Sequence, residues 1–347
     1  MEKLFYSNRT YKLVKKTKGK KATVIKVGEN KIGSKQFVVM AGPCTVESLE
    51  QILRIARFVK SKGAHILRGG AYKPSTYPYR FRGYEEDALK WLKEAKEKTG
   101  LPVITEVMDT RDVEIVEKYT DIFQIGTRNM QNYRLLTEVG KTRKPVFLKR
   151  GTGATLDEFL GAAEYIMKEG NKEVILCERG IVSLETHTRW TLSLATVPAL
   201  KKMTHLPVIV DPSHGTGQRD YVIPMVKAAC ACGADGIMVE VHFNPDKSVS
   251  DAVQTIDFKS FSRLMAELEP ITKAVGRYLK RSAMVKTKSV LIATSHIKKN
   301  SKITKEMLGK RADSDGLSPH LAKEVIGRKA LYDIKEGEPV TFGVIEI

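Results

Sequence analysis

Cys44, His214, Glu240 and Asp251 offer a thiol, an imidazole and two carboxylates. Together they form a donor set that suits a borderline divalent cation such as Mn, Fe, Co or Zn better than Mg or Ca. Cys44, His214 and Glu240 each follow or end a short apolar run, and Asp251 lies in the loop beyond the last run. His242, two residues after Glu240, points the same way out of its strand and is a rival or supporting ligand. A second set is cationic. Arg68, Lys73, Arg128, Lys149 and Arg179 follow five different apolar runs, and five cations in one mouth repel one another unless a polyanion fills it. Arginine forks suit phosphate and carboxylate oxygens, while lysine acts as a point charge or a proton donor. Glu106, Glu178 and Asp211 are acids near enough in the pattern to pair with some of these cations, Glu178 being the direct neighbour of Arg179. The turn Asp211-Pro212-Ser213-His214-Gly215 places an acid, a hydroxyl and an imidazole together.

The elements that must gather these groups are legible as a rhythm. Apolar runs at residues 37–41, 65–67, 103–105, 122–125, 146–148, 174–176, 208–210 and 237–239 alternate with helical patterns such as 50–62, 85–98, 111–118, 156–168 and 223–229. Gly63, Gly100, Gly170 and Gly233 sit where a helix end wants a left-handed residue. About eight strand–helix units predict an α/β chain with a (β/α)8 TIM barrel over residues 37–280, whose strand tips share one rim. Residues 1–36 alternate apolar and polar positions and predict an N-terminal β-hairpin extension covering one barrel end. A linker is expected at 281–289. A small β-rich domain follows at 290–347, with strands at 290–294, 330–334 and 339–342 and short helices at 305–308 and 319–325.

The chain has 347 residues and a formal net charge of +19, with 11 Lys/Arg against 2 Asp/Glu in residues 1–36. Neither a recognition-helix pattern nor an aromatic-interleaved basic stripe accompanies that charge, so nucleic acid is not the expected partner; anionic small molecules explain the rim cations better. The four cysteines have no disulfide spacing, which fits a reducing compartment. No apolar stretch is of signal-peptide or membrane-spanning length, and a soluble cytoplasmic protein without membrane partners is expected.

Residues 35–275 resemble the 3-deoxy-7-phosphoheptulonate (DAHP) synthases, in the shorter class that includes the 3-deoxy-octulosonate 8-phosphate synthases. The likeness rests on Ala41-Gly42-Pro43-Cys44, Leu67-Arg68-Gly69-Gly70-Ala71-Tyr72-Lys73-Pro74, Gln124-Ile125-Gly126-Thr127-Arg128-Asn129, Leu148-Lys149-Arg150-Gly151, Cys177-Glu178-Arg179-Gly180, Asp211-Pro212-Ser213-His214, Val239-Glu240-Val241-His242 and Ser250-Asp251. It implies a metal on Cys44, His214, Glu240 and Asp251, and phosphoenolpyruvate on Arg68, Lys73, Arg128, Lys149 and Arg179. The usual Lys-Pro-Arg-Thr run of this class is here Lys73-Pro74-Ser75-Thr76. Thr76 remains as a substrate contact, but Ser75 carries no charge for an aldose phosphate unless Arg80 or Arg82 replaces it. Residues 284–347 resemble the SAF, or antifreeze-like, domain of sialic acid synthases through Ile297-Lys298-Lys299-Asn300, Lys310-Arg311, Gly316-Leu317-Ser318-Pro319 and Val325-Ile326-Gly327-Arg328. That likeness implies a cap over the active site of a partner subunit, with Arg311 touching the acceptor.

The chemistry implied is condensation of phosphoenolpyruvate with an aldose, giving a 3-deoxy-2-keto acid and phosphate. Erythrose 4-phosphate is the leading acceptor and an unphosphorylated N-acyl aldose the alternative. Lys73 or His214 transfers protons, and Asp211 orients a sugar hydroxyl. A homodimer or homotetramer is expected. A regulatory protein built on a dead barrel is disfavoured, because no ligand or rim cation is missing. No ferredoxin-like segment precedes the barrel, so inhibition by aromatic amino acids through such a domain is not expected.

Overall fold

The structure is a computed structural model, and it describes residues 11–75, 77–279, 288–313, 316–341 and 344–346. Thr76 and residues 281–287 of the expected linker lie outside the described residues. The chain falls into two compact units, Met1–Lys280 and Arg281–Ile347.

In the first unit, β1 (Ile25–Val27) and β2 (Asn30–Ile32) form an antiparallel hairpin. Eight parallel strands then close on themselves: β3 (Val38–Gly42), β4 (Ile66–Arg68), β5 (Val103–Val107), β6 (Ile122–Ile125), β7 (Val146–Lys149), β8 (Val174–Glu178), β9 (Val208–Val210) and β10 (Gly236–Glu240), with β10 pairing back onto β3. The expected runs coincide with these strands to within a residue or two. Between them lie α1 (Leu49–Ser61), α2 (Glu85–Thr99), α3 (Val113–Tyr119), α4 (Tyr133–Lys141), α5 (Leu156–Lys168), α6 (Thr196–Met203), α7 (Pro212–Thr216) and α8 (Arg219–Ala231), and α9 (Phe258–Ala274) closes the unit. Local chemistry marks the helix ends. The Ser48 hydroxyl accepts from the Gln51 amide to start α1, and Thr155 and Glu158 form a reciprocal capping box on α5. Gly100 ends α2 with φ 72°, a conformation open to glycine at little cost.

Strand alternation sorts the barrel side chains into two layers. Val38, Met40, Ile66, Ile104, Ile122, Phe147, Ile175, Cys177, Ile209 and Met238 pack inside the barrel, with Ile25, Val27 and Ile32 of the hairpin in the same cluster. The hairpin therefore plugs the end of the barrel where the strands begin. Val39, Ala41, Leu67, Val103, Phe123, Ile125, Leu148, Leu176, Val210 and Val239 instead pack against the helices.

Among the described residues the hairpin spans 25–32, and residues 11–24 before it form a strap that turns at Thr17–Lys20. The Glu164 carboxylate accepts the backbone N–H groups of Lys12, Leu13 and Val14. Lys16 donates to the Met203 carbonyl and Thr23 to that of His205.

In the second unit β11 (Lys288–Ala293) pairs antiparallel with β12 (Leu308–Asp313), over a small core that includes Leu291, Ile297, Ile303, Val325 and Ile334. Pro319–Leu321 and α10 (Ala322–Val325) occupy the expected helical position at 319–325. The helix expected at 305–308 is a turn running into β12, a strand the sequence pattern did not show. Leu308-Gly309-Lys310-Arg311 lacks alternation because most of its side chains are not buried. The segments at 330–334 and 339–341 contribute isolated bridges, at Ala330, Ile334 and Pro339, in place of regular strands.

His205 pins the strap: its Nε2 meets the Leu13 carbonyl at 2.8 Å and its Nδ1 the Thr23 hydroxyl at 2.6 Å. Burial lowers its pKa, so the fold favours the neutral ring. With the strap released, the His205 ring takes up a proton more readily, so the anchor is at full strength above about pH 6.5 and weakens as pH falls below it. Amide protection at Lys16 and Thr23, corrected for intrinsic exchange, is expected to drop between about pH 7.5 and 5.5. Constant protection across that range would rule His205 out as the anchor.

Candidate active site

The inner layer of the barrel continues upward as the site. Two residues beyond an inward-facing apolar side chain stand Arg68 after Ile66, Glu106 after Ile104, Lys149 after Phe147, Arg179 after Cys177, Asp211 after Ile209 and Glu240 after Met238. Alternation directs all six groups inward at the end where the strands finish. They surround a cleft of about 600 Å³ lined by Cys44, Arg68, Lys73, Arg80, Glu106, Arg128, Lys149, Arg179, Arg189, Trp190, His214 and Asp251, among others. Seven of those named carry guanidinium or ammonium groups and two carry carboxylates, so the cleft selects anions.

The expected metal ligands converge on one wall. Cys44 Sγ and carboxylate oxygens of Glu240 and Asp251 all lie within 4.8 Å of one another. His214 Nε2 is 3.3 Å from Glu240 Oε1 and 3.8 Å from Asp251 Oδ2. Burial, followed by the charge of Glu240, pushes the Cys44 thiol up to about 12. A thiol so placed would release its proton to solvent when a strongly bound cation takes the proton's place on sulfur. The loops carrying Cys44 and Asp251 are tied together by Thr45 and Ser250, whose hydroxyls are 2.5 Å apart, and by Glu47, which accepts from Ser248 and the Val249 amide. Asp251 has φ 51°, and its carbonyl accepts from the amides of Gln254 and Thr255 and from the Thr255 hydroxyl. A left-handed backbone is tolerated by aspartate better than by most residues.

Asp211 is fully buried and does not line the cleft. Its Oδ2 accepts from His214 Nδ1 at 2.7 Å and from Lys149 Nζ at 2.6 Å, while Oδ1 accepts from the His214 amide. These contacts and the neighbouring positive charges hold its pKa well below the usual carboxylate range, against the effect of burial. The expectation that Asp211 orients a sugar hydroxyl therefore gives way to a positioning part: its oxygens are taken, and it holds the His214 imidazole and the Lys149 ammonium, which do line the cleft. Glu240 is equally hidden, held by Arg68 at 3.1 Å and by Gln254 Nε2 at 2.7 Å, with its own amide donating to Ser213 Oγ. Lys73 Nζ donates to Cys44 Sγ at 2.8 Å.

Arg179 is oriented by contacts weaker than an ion pair. Its guanidinium lies 5.3 Å from the Trp190 ring centroid and reaches carbonyls only at 3.4 Å, and its buried Nε has no partner among the described residues. Glu178 does not pair with it. One position out of step, Glu178 faces the helices with Arg150, and the two meet at 2.8 Å. His242 stands apart from the four: its Nδ1 accepts from the Asn244 amide, its buried Nε2 has no partner among the described residues, and it does not line the cleft. Ser75 donates to the Phe81 carbonyl, and Arg80 lies over Tyr77 at the rim. Arg311 belongs to the second unit, on β12 opposite Val290. The sequence reading missed Gln254, Arg189 and Trp190, which sit in loops with no periodic signal; the Arg189-Trp190 dipeptide was the one available hint.

The DAHP synthetase I family profile matches residues 16–276, and the SAF domain profile matches residues 288–346. A phospho-2-dehydro-3-deoxyheptonate aldolase of Thermotoga maritima is 48% identical over 268 residues, covering 77% of this chain and 79% of that protein. A 2-dehydro-3-deoxyphosphooctonate aldolase of Fusobacterium nucleatum is 30% identical, covering 70% of this chain and 94% of the other. The crystal structure of the Thermotoga maritima phospho-2-dehydro-3-deoxyheptonate aldolase (DAHP synthase) superposes with a TM-score of 0.77 at 47% identity, over 78% of this chain and 80% of that one.

The Arg150–Glu178 pair is buried on both sides, so removing one partner strands a charge. Glu178→Ala is expected to lower the unfolding free energy by about 3–5 kcal/mol in urea titration, and Arg150→Leu in the same chain to recover most of that loss. A loss below about 1 kcal/mol would show that the pair is solvated.

Proposed function

The chain belongs to the DAHP synthetase I family, a family of transferases, and on that premise we propose that it condenses phosphoenolpyruvate with erythrose 4-phosphate in a reaction that depends on a divalent metal. The observation that carries this reading is the convergence of a thiol, an imidazole and two carboxylates on the wall of a cation-lined cleft. Their chemistry fits Mn, Fe, Co or Zn, and Cys44, His214, Glu240 and Asp251 would hold the ion. A bound ion supplies Lewis-acid polarisation of an aldehyde oxygen.

The protein's own groups do the rest. Arg179, with its unpartnered Nε, joins Arg128 and Lys149 in holding the phosphate of phosphoenolpyruvate, and Arg68 and Lys73 take its carboxylate. Carbon 3 attacks the aldehyde carbon, water adds to carbon 2, and inorganic phosphate leaves. His214 donates its Nδ1 proton to Asp211 and turns Nε2 toward Glu240 and Asp251, so it serves as a ligand in a fixed tautomer. Lys73, on the cleft wall, is then the group that delivers a proton to the new hydroxyl. Arg80 and Arg189 at the mouth favour a phosphorylated acceptor even though Ser75 carries no charge. The SAF domain favours a second reading, in which the acceptor is an unphosphorylated N-acyl aldose. The same proposal includes a homodimer or homotetramer in which the SAF domain, with Arg311, covers a partner's cleft. No helix among the described residues is long and apolar enough to cross a membrane.

Phosphate release from phosphoenolpyruvate is the assay. Erythrose 4-phosphate is expected to support turnover, excess EDTA to abolish it, and Mn²⁺ to restore it. Turnover only with N-acetylmannosamine or a relative establishes the second acceptor, and turnover indifferent to chelation removes the metal. Separately, Asp211→Asn is expected to weaken Mn²⁺ binding about 10- to 100-fold by loosening His214, as read by calorimetry on the folded variant. Unaltered affinity would show that His214 needs no such support.

A further inference from the structure

Asp251 faces two ways. Its Oδ2 lies 3.1 Å from Cys44 Sγ and 3.8 Å from His214 Nε2, while its Oδ1 lies 3.6 Å from a guanidinium nitrogen of Arg189. The Arg189 backbone is pinned, its amide donating to the Thr216 carbonyl and the Gly217 backbone leaving no room for a side chain against its Cβ. The side chain, in contrast, is 47% exposed where it lines the cleft, and its guanidinium carbon lies 6.0 Å from the Trp190 ring centroid. Arg179 is held by the same indole. Arg189 is thus a cation with a fixed root and a movable head, set between the inner carboxylate and open solvent.

We infer that Arg189 couples loading of the divalent cation to capture of an anionic acceptor, by acting as a counter-ion that Asp251 shares with an anion at the cleft mouth. This rests on the four-residue metal site proposed above. While Arg189 leans on Asp251, it withdraws charge from the ligand set and weakens cation binding. A phosphate group at the mouth competes for Arg189, returns the full carboxylate charge to the ligands, and tightens the cation. Reciprocity then requires the loaded cation to tighten the phosphate by the same factor. A half-exposed pair is screened by solvent, so the coupling is about two- to fivefold.

The test is calorimetric titration of Mn²⁺ into the full chain, with phosphoenolpyruvate saturating and with or without sn-glycerol 3-phosphate, which has the acceptor's phosphate but no aldehyde. In the unaltered chain glycerol phosphate is expected to tighten Mn²⁺ about two- to fivefold. Arg189→Gln is expected to bind Mn²⁺ more tightly by a similar factor and to lose the response to glycerol phosphate, and Arg189→Lys to retain part of it. The inference is overturned if glycerol phosphate leaves the unaltered chain unchanged, if Arg189→Gln binds Mn²⁺ no better, or if that variant keeps the response. Absence of Mn²⁺ uptake by the unaltered chain overturns the metal reading itself, and the coupling with it.

Discussion

The period-two alternation of eight short parallel strands is the constraint on which the site depends. A strand has two faces, and in a closed barrel one of them is the interior. Ile66, Ile104, Phe147, Cys177, Ile209 and Met238 fill that interior, so the residues two further on must point into the rim. Arg68, Glu106, Lys149, Arg179, Asp211 and Glu240 come together for that reason. Arg150 and Glu178, one position off, are turned toward the helices, where they neutralise each other. A one-residue slip in any strand would exchange a charged group of the rim for a packing group.

Packing several buried charges into this rim requires that they share partners. Asp211 serves His214 and Lys149 through one oxygen, and Glu240 serves Arg68 and Gln254 through two. Asp211 and Glu240 stand behind the wall, while the Lys149, His214 and Arg68 they hold line the cleft. Buried charge is tolerable on these terms for Arg68, Lys149, Asp211 and Glu240, since each has both a counter-ion and a hydrogen-bonding role, whereas Arg179 lacks an ion pair. The cations left in excess toward the mouth make the cleft attractive to phosphate and carboxylate substrates.

The barrel strands were legible because each is a short apolar run ended by glycine, proline or charge, and both faces of a barrel strand are buried. Three of the metal-ligand candidates and the five rim cations were legible because each follows or ends such a run, while Asp251 lies in the loop beyond the last one. The β12 strand in the second unit was not: Leu308-Gly309-Lys310-Arg311 has no buried residue, and it pairs with β11, which leaves no mark on composition. Gln254, Arg189 and Trp190 were missed for a related reason. They act from loops, whose course is set by contacts such as Thr45 with Ser250 and Arg189 with Thr216.

The sequence by itself determined the barrel, its order and the inventory of charged and ligating groups at the strand ends, because hydrophobic period and glycine placement are local properties of the chain. Which acid neutralises which base was decided only by the tertiary structure. Glu178 neighbours Arg179 along the chain yet pairs with Arg150, and Asp211 meets Lys149 from 62 positions away. Pairing follows distance and facing direction across adjacent strands, and those quantities exist only once the barrel has closed.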